Sequence, residues 1–232
     1  MREEEQALAT RHFFDREAAS WSSEYRPSGH MADRIERFLT IISRLCPSPG
    51  EVLDFGCGSG EIAAALADCG WRVAGRDLSP MMIETARTKW PDRSIEWGTL
   101  EPTADLPFAD DRFDIAISSS VLEYLQDLPA HLSQIARVVR PGGWYLATVP
   151  DMRHPVRTAE ARKLRFALKP VLNVLTRVTP WRSTYEYLRL SINRYPLSEW
   201  RDLFRSAGFD PVLPERCEHP LALIAAQNRT AS

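Results

Sequence analysis

Three observations place this 232-residue chain in the α/β class, as a mostly parallel sheet with helices on both faces. A short apolar strand, Glu51-Val-Leu-Asp-Phe55, runs through glycines at 56, 58 and 60 into an amphipathic helix that begins near Ile62. From Trp71 to Val149, apolar strand patterns alternate with helical ones at the spacing of strand–helix–strand units. The 44% hydrophobic and 26% charged shares are those of a globular protein and exclude disordered and fibrous classes. The length suits a single domain, 1–232, built on one buried sheet.

In order, residues 1–24 read as a helix with His12, Phe13, Phe14, Ala18 and Trp21 on a shared face, broken by Pro27-Ser28-Gly29. His30 to Leu45 resumes helical spacing, and Cys46-Pro-Ser-Pro-Gly50 ends it, so 1–46 form a helical segment ahead of the first strand. Beyond the glycine loop a helix stops at Gly70, Trp71 to Asp77 is a second strand, and Ser79 caps a helix from Pro80 to Lys89. Ser94 to Gly98 and Asp111 to Ser118 are strands three and four. His131 to Val139 is a helix, Arg140-Pro-Gly-Gly143 a turn, and Trp144 to Val149 strand five. A last helix starts at Leu197 and leads to strand six at Phe209, and His219 to Ala226 reads as a final strand.

The formal charge of −2 gives no reason to expect nucleic acid. No run approaches the eighteen or so apolar residues of a membrane span, and the acidic start Met1-Arg-Glu-Glu-Glu-Gln6 suits neither signal nor transit peptide, which predicts a cytoplasmic protein. Cysteines 46, 57, 69 and 217 form no C-x-x-C pair and have no histidine at ligand spacing, so they read as buried thiols and no metal is expected.

The glycine spacing departs from the G-x-G-x-x-G of dinucleotide sites, because the third glycine comes one residue early and Asp54 stands just ahead of the first. Asp54-Phe-Gly-Cys-Gly-Ser-Gly60 resembles motif I of class I S-adenosylmethionine (SAM) methyltransferases. Asp77 at the end of strand two, Phe113-Asp114 opening strand four and Val138-Val-Arg-Pro-Gly-Gly143 match the same family in register. Within it the chain is most similar to the small-molecule branch of ubiquinone and menaquinone biosynthesis methyltransferases. The resemblance implies a Rossmann-like sheet of seven strands, the last antiparallel and at the sheet edge. It also implies SAM as cofactor and S-adenosylhomocysteine (SAH) as product.

Carried onto these residues, the resemblance assigns Asp54, Gly56, Cys57, Gly58 and Gly60 to the methionine moiety and Asp77 to the ribose hydroxyls. Leu78 and Met81 take the adenine face. Thr99, Leu100 or a backbone carbonyl takes the adenine amine, because Thr99 stands where the family has an aspartate. Ser118 or Ser119 lies beside the methionine tail, and Phe14, Trp21 and Tyr25 are lid positions. Ser118-Ser-Ser-Val121 lacks the Asn/Asp-Pro-Pro-aromatic pattern of enzymes that methylate base or glutamine nitrogens, which favours oxygen or carbon as the accepting atom. A hydroxyl acceptor needs a base, and His154, just past strand five, is the candidate; a carboxylate acceptor needs none. Glu123 and Tyr124 shape the pocket. Two other classes remain: a SAM-binding accessory protein that supports a partner enzyme without turnover, and an NAD-dependent oxidoreductase, against which the early third glycine argues.

Residues 151–196 have no counterpart in the minimal fold and read as a helical cap over the acceptor pocket. Ten Lys and Arg face three Asp and Glu here, giving +7 and leaving −9 for the rest of the chain. Leu164, Phe166, Leu168, Val171, Leu172, Val174, Leu175, Val178 and Trp181 alternate with the cations. Three readings follow: a cap with solvated arginines, peripheral contact with an anionic membrane to reach a lipid-like acceptor, or recognition of an acidic acceptor. The sequence leaves the acceptor and the oligomeric state open.

Overall fold

Seven strands and eight α-helices are described in the computed structural model, which covers residues 3–26, 29, 31, 33–167, 182–214 and 218–229. The strands are β1 Glu51–Phe55, β2 Arg72–Asp77, β3 Ile95–Thr99, β4 Phe113–Ser119, β5 Val139–Pro150, β6 Phe209–Val212 and β7 Leu221–Asn228. The helices are α1 Glu3–Trp21, α2 Arg34–Leu45, α3 Glu61–Asp68, α4 Pro80–Lys89, α5 Leu128–Val138, α6 Pro155–Ala167, α7 Arg182–Leu190 and α8 Leu197–Ser206. One sheet runs β3-β2-β1-β4-β5-β7-β6, with β7 antiparallel to both neighbours. The expected antiparallel last strand is present, but it lies between β5 and β6 instead of at the edge, because β6 pairs along its outer side from Phe209 to Val212.

Strand alternation divides the core into two layers. Val52, Ile115 and Ile117 pack with Phe38, Ile42, Ile62 and Leu66 of α2 and α3 on one face. Leu53, Phe55, Ala116, Tyr145 and Ala147 pack with α5 and with Trp200 and Phe204 of α8 on the other. The chain leaves β1 toward β2 on one side while β4 lies on the other, so the carboxyl end of β1 is the point where strand order reverses and a crevice opens.

Three sequence expectations are corrected locally. The run Arg140 to Gly143 is part of a continuous β5: the register slips between Phe113↔Val139 and Ile115↔Trp144, so the extra residues form a bulge, not a turn. Helix α5 starts at Leu128, three residues before His131, because the Asp127 carboxylate accepts the Ala130 N–H at 3.0 Å and Pro129 suits a first turn. Helix α2 starts at Arg34; His30 lies outside the described residues. Ser79 caps α4 as expected, accepting the Met82 N–H at 3.1 Å. His12 is exposed while Phe13 and Ala18 are buried, and of the thiols Cys57 is buried, Cys46 half-buried and Cys69 exposed.

Beyond β5, α6 and α7 belong to the 151–196 segment. The apolar positions 168–178, Trp181, and Cys217 farther on lie outside the described residues. A small apolar cluster of Phe13, Tyr124 and Leu190, with Phe14 and Tyr187 against it, joins α1 and α7 to the turn after β4. Buried polar groups fasten the same junction. Asn193 Nδ2 donates to Leu122 O at 2.8 Å and Leu125 O at 2.6 Å, and Ser191 Oγ donates to Glu123 at 2.8 Å. Among the described residues no helix is long and apolar enough to cross a membrane.

Candidate active site

The crevice at the end of β1 is a cavity of about 1000 Å³, counting its open mouth, floored by the glycine loop and roofed by α1. Gly56 has φ +77° and Gly58 φ +53°, the left-handed region that disfavours side chains. A Cβ on Gly56 would stand 2.3 Å from Val121 Cγ2, and one on Gly58 3.2 Å from Trp21 Nε1, so the bend must be bare for these neighbours to approach. The loop N–H groups are spent within the protein. Gly56 and Cys57 donate to Arg76 O at 2.7 and 2.9 Å, and Gly58 donates to Asp77 Oδ2 at 2.9 Å. The loop therefore offers close backbone approach, with the N–H groups of 56–58 already bonded within the protein.

Carboxylates gather behind that floor. Asp77 accepts from Gly58 and, through Oδ1, from Ser79 N–H at 2.8 Å, yet burial still pushes its pKa up to about 6, with the Asp15 charge adding. Asp54 is only 2% exposed and is raised to about 8, first by burial, then by the charges of Asp77 and Glu61; an Ala63 N–H bond opposes this. Its Oδ2 is buried with no hydrogen-bond partner. Nearby, Glu61 is compensated by Lys89 Nζ at 2.7 Å and by the Ser59 hydroxyl. Arg34 is the one Lys or Arg among the described residues of the cavity wall, and its guanidinium donates to Ser119 Oγ at 3.2 Å and bonds the Tyr25 hydroxyl.

Aromatic rings in edge contact close the roof: Trp21 on Phe14 with centroids 5.3 Å apart, and Phe14 on Tyr124 at 5.4 Å. Helix α1 is pinned at both ends of the cavity. Gln6 Nε2 donates to Leu190 O at 2.9 Å and Tyr124 O at 3.2 Å, and the Ser79 hydroxyl donates to Asp15 at 2.6 Å.

Of the residues singled out in the sequence, Gly56, Cys57, Gly58, Asp77, Leu78, Leu100 and Ser119 line this cavity, as do Phe14, Trp21, Tyr25 and Tyr124. Asp54 lies behind the loop instead of on the wall. Gly60 opens α3 and faces the Trp97 ring. Met81 points outward, 51% exposed, and the next residue, Met82, lines the cavity, since one helical step turns a side chain by about 100°. Ser118 is fully buried against the Tyr145 hydroxyl at 2.7 Å, the opposite side of β4 from Ser119, and Thr99 is exposed while Leu100 lines. His154 is not on the wall. Its Nδ1 accepts the Val156 N–H at 3.2 Å and its carbonyl takes the Thr158 N–H, so it caps α6.

The structure adds residues that the sequence reading passed over: Gln6, Thr10, Arg34, Met82, Ser120 and His131. His131 Nδ1 lies 2.7 Å from Asp127 O, which can only accept, so Nδ1 carries hydrogen and Nε2 is the nitrogen left over. Its signal was Asp127-Leu-Pro129: starting α5 there puts His131 on the inward face with Leu128, Leu132 and Ile135.

Residues 23–213 match the family described as methyltransferase domain. A demethylmenaquinone methyltransferase of Chlorobaculum parvum is 31% identical over 166 residues, 68% of this chain and 65% of that protein. A 2-phytyl-1,4-naphtoquinone methyltransferase of Nostoc punctiforme is 30% identical, over 76% of this chain and 79% of its own. The fold is shared with magnesium protoporphyrin IX methyltransferase of Synechocystis, solved with bound SAH, at a TM-score of 0.69 and 16% identity over 94% of this chain and 98% of that one.

Proposed function

Because this chain belongs to the methyltransferase domain family and is a SAM-dependent methyltransferase, we propose that it methylates a small, lipid-like acceptor, at oxygen or carbon ahead of nitrogen. One observation carries this reading: a single cavity joins a charged end at the glycine loop to an aromatic end under α1. The charged end suits SAM on three counts. Bare backbone at Gly56 and Gly58 admits close approach, carboxyls raised to about 8 and 6 favour a cationic ligand, and Arg34 complements an amino-acid carboxylate. When bound, SAM supplies a methyl group on a sulfonium, which makes alignment and exclusion of water the protein's main tasks.

In this reading Asp77 holds the ribose hydroxyls, Gly56 to Gly58 and Arg34 the methionine part, and Leu78, Met82 and Leu100 the adenine. Asp54, largely protonated near neutral pH before binding, gives up its proton as the cation binds and acts on it through the loop. Trp21, Phe14 and Tyr25, within residues 1–46, act as a lid that keeps water out, and 151–196 act as the cap. A hydroxyl acceptor would lose its proton to His131 in place of His154, since His131 alone of the two faces the cavity. Names of quinone substrates among the relatives support a lipid-like acceptor here. The exposed Arg162, Lys163 and Arg165 of α6 support action from the cytoplasm at an anionic membrane surface.

Calorimetry with SAM, SAH and NAD tests the cofactor. Micromolar SAM and SAH with no heat from NAD is the expected result, and tighter NAD binding would overturn it. Incubating cell extract with labelled SAM and identifying the labelled product tests turnover. A protein that binds SAM but labels nothing in any extract would instead be an accessory subunit.

A further inference from the structure

The cavity has a second polar locus, on α1. Gln6 is fully buried and Thr10 nearly so, one turn apart, and both line the cavity with Phe14 a turn farther on. Both Gln6 Nε2 hydrogens are spent on Leu190 O and Tyr124 O, which fixes the orientation of the carboxamide. Its Oε1 is buried without a partner, and so is Thr10 Oγ1. Just past β4, Ser120 also lines the cavity, and its Oγ is buried and unpartnered on a residue held at φ +57°. Buried polar atoms are nearly always paired, so three orphans on residues that line one cavity leave hydrogen-bonding capacity for a ligand group to take up.

We propose that Gln6 and Thr10 form a hydroxyl-reading subsite for an uncharged acceptor. The chemistry of the two atoms selects the class. Gln6 Oε1 can only accept, so the ligand must donate, and a hydroxyl can donate to it while accepting from Thr10. A carboxylate or phosphate would set lone pairs against Oε1 and find no spare cation. In the proposed reading Arg34 is taken by the cofactor's carboxylate, Glu101 adds negative charge to the wall, and Arg153 and Arg157 of the cap pair with Asp151 and Glu160. The subsite rests on the glycine-loop end being the cofactor's.

Calorimetry on the SAH-saturated protein tests it with three probes of one shape: naphthol, its methyl ether and naphthoate. Naphthol is expected to bind roughly tenfold tighter than either of the others. Thr10→Val, which keeps the shape and removes only the hydroxyl, should erase most of that preference with SAH affinity unchanged, and Gln6→Leu should erase it too. If Gln6→Leu fails to fold for want of its bonds to α7, Thr10→Val and the probe comparison still decide. Equal binding of the three probes, no binding of naphthol, or a preference intact in Thr10→Val overturns the subsite. The SAH titration separately reports on the cofactor reading, which survives each of those results.

Discussion

Asp54 and Asp77 are carboxyls that the folded protein holds partly against their ionised state. Their pKa values, about 8 and 6, lie above the ordinary carboxylate range because burial dominates both. A value raised on folding contributes stability that is complete below the unfolded pKa and lost as pH climbs through the folded one, so these two groups stabilise the ligand-free chain at acid pH and weaken it by pH 8. A cation bound beside them lowers both values. SAM should therefore bind more tightly as pH rises from about 5.5 to about 8.5, with proton release near neutrality. Calorimetry at neutral pH in two buffers of different ionisation enthalpy reads that release directly, and a pH-independent affinity would contradict the assignment. Asp54→Asn should abolish much of the release and weaken SAM more than SAH, whose sulfur is uncharged. Gly58→Val forces a β-branched residue to φ +53° against Trp21, at a cost on the order of 1–3 kcal/mol, and should lower both melting temperature and SAM affinity. The sequence carried the glycines and Asp77 because a bend and a strand end leave fixed spacings. It did not carry Met82, Ser119 or Leu100 over their neighbours Met81, Ser118 and Thr99, since which of two adjacent side chains faces a cavity turns on sheet face and helix phase.

Helix α1 roofs the cavity from Gln6 to Trp21, and side-chain bonds at Gln6 and Asp15 fasten it there. Ser79 serves α4 as cap and α1 as anchor, because its hydroxyl accepts from Met82 N–H while donating to Asp15. Besides the Asp15 charge beside Asp77 and the ion pair with Arg11, Asp15→Ala removes the anchor and keeps the cap. It should leave the melting temperature within a few degrees, raise the KM for SAM several-fold and speed hydrogen exchange in residues 6–21. Ser79→Ala removes both, and should add about 1 kcal/mol of instability for the lost cap. Exchange unchanged in both variants would show that the Gln6 bonds and the aromatic contacts of Phe14 and Trp21 hold the helix without this anchor. At this scale the sequence predicted all seven strands and the helix that opens the chain, because their periodicities are strong. It missed the β5 bulge and the inner position of β7, which depend on pairing between distant residues such as Phe113 with Val139. The start of α5 and the place of His154 turn instead on local caps, Asp127 on Ala130 N–H and His154 on Val156 N–H, whose signals the sequence carries but the periodicity alone does not show.

Charge is distributed over the whole molecule in a way that no single element needs. A cap of +7 on a remainder of −9 gives a strong dipole; Arg153 and Arg157 pair with Asp151 and Glu160 of the cap, and Arg162, Lys163 and Arg165 are exposed along α6. Such a face is attracted to an anionic bilayer by about 1 kcal/mol for each cation near the surface, within a Debye length of about 10 Å at 0.1 M salt. The attraction would bring the open side of the cavity toward the lipid only if the cap, and not the acidic remainder, meets the surface. Co-sedimentation with vesicles of phosphatidylglycerol and phosphatidylcholine should thus retain the protein at low salt and release it as salt approaches about 0.5 M. Reversing Arg162, Lys163 and Arg165 to glutamate should abolish retention while leaving SAH binding intact, because α6 is remote from the glycine loop. Purely neutral vesicles should retain little in either case. Retention that ignores salt would point to insertion of apolar side chains, and no retention at low salt would confine the basic face to solvent.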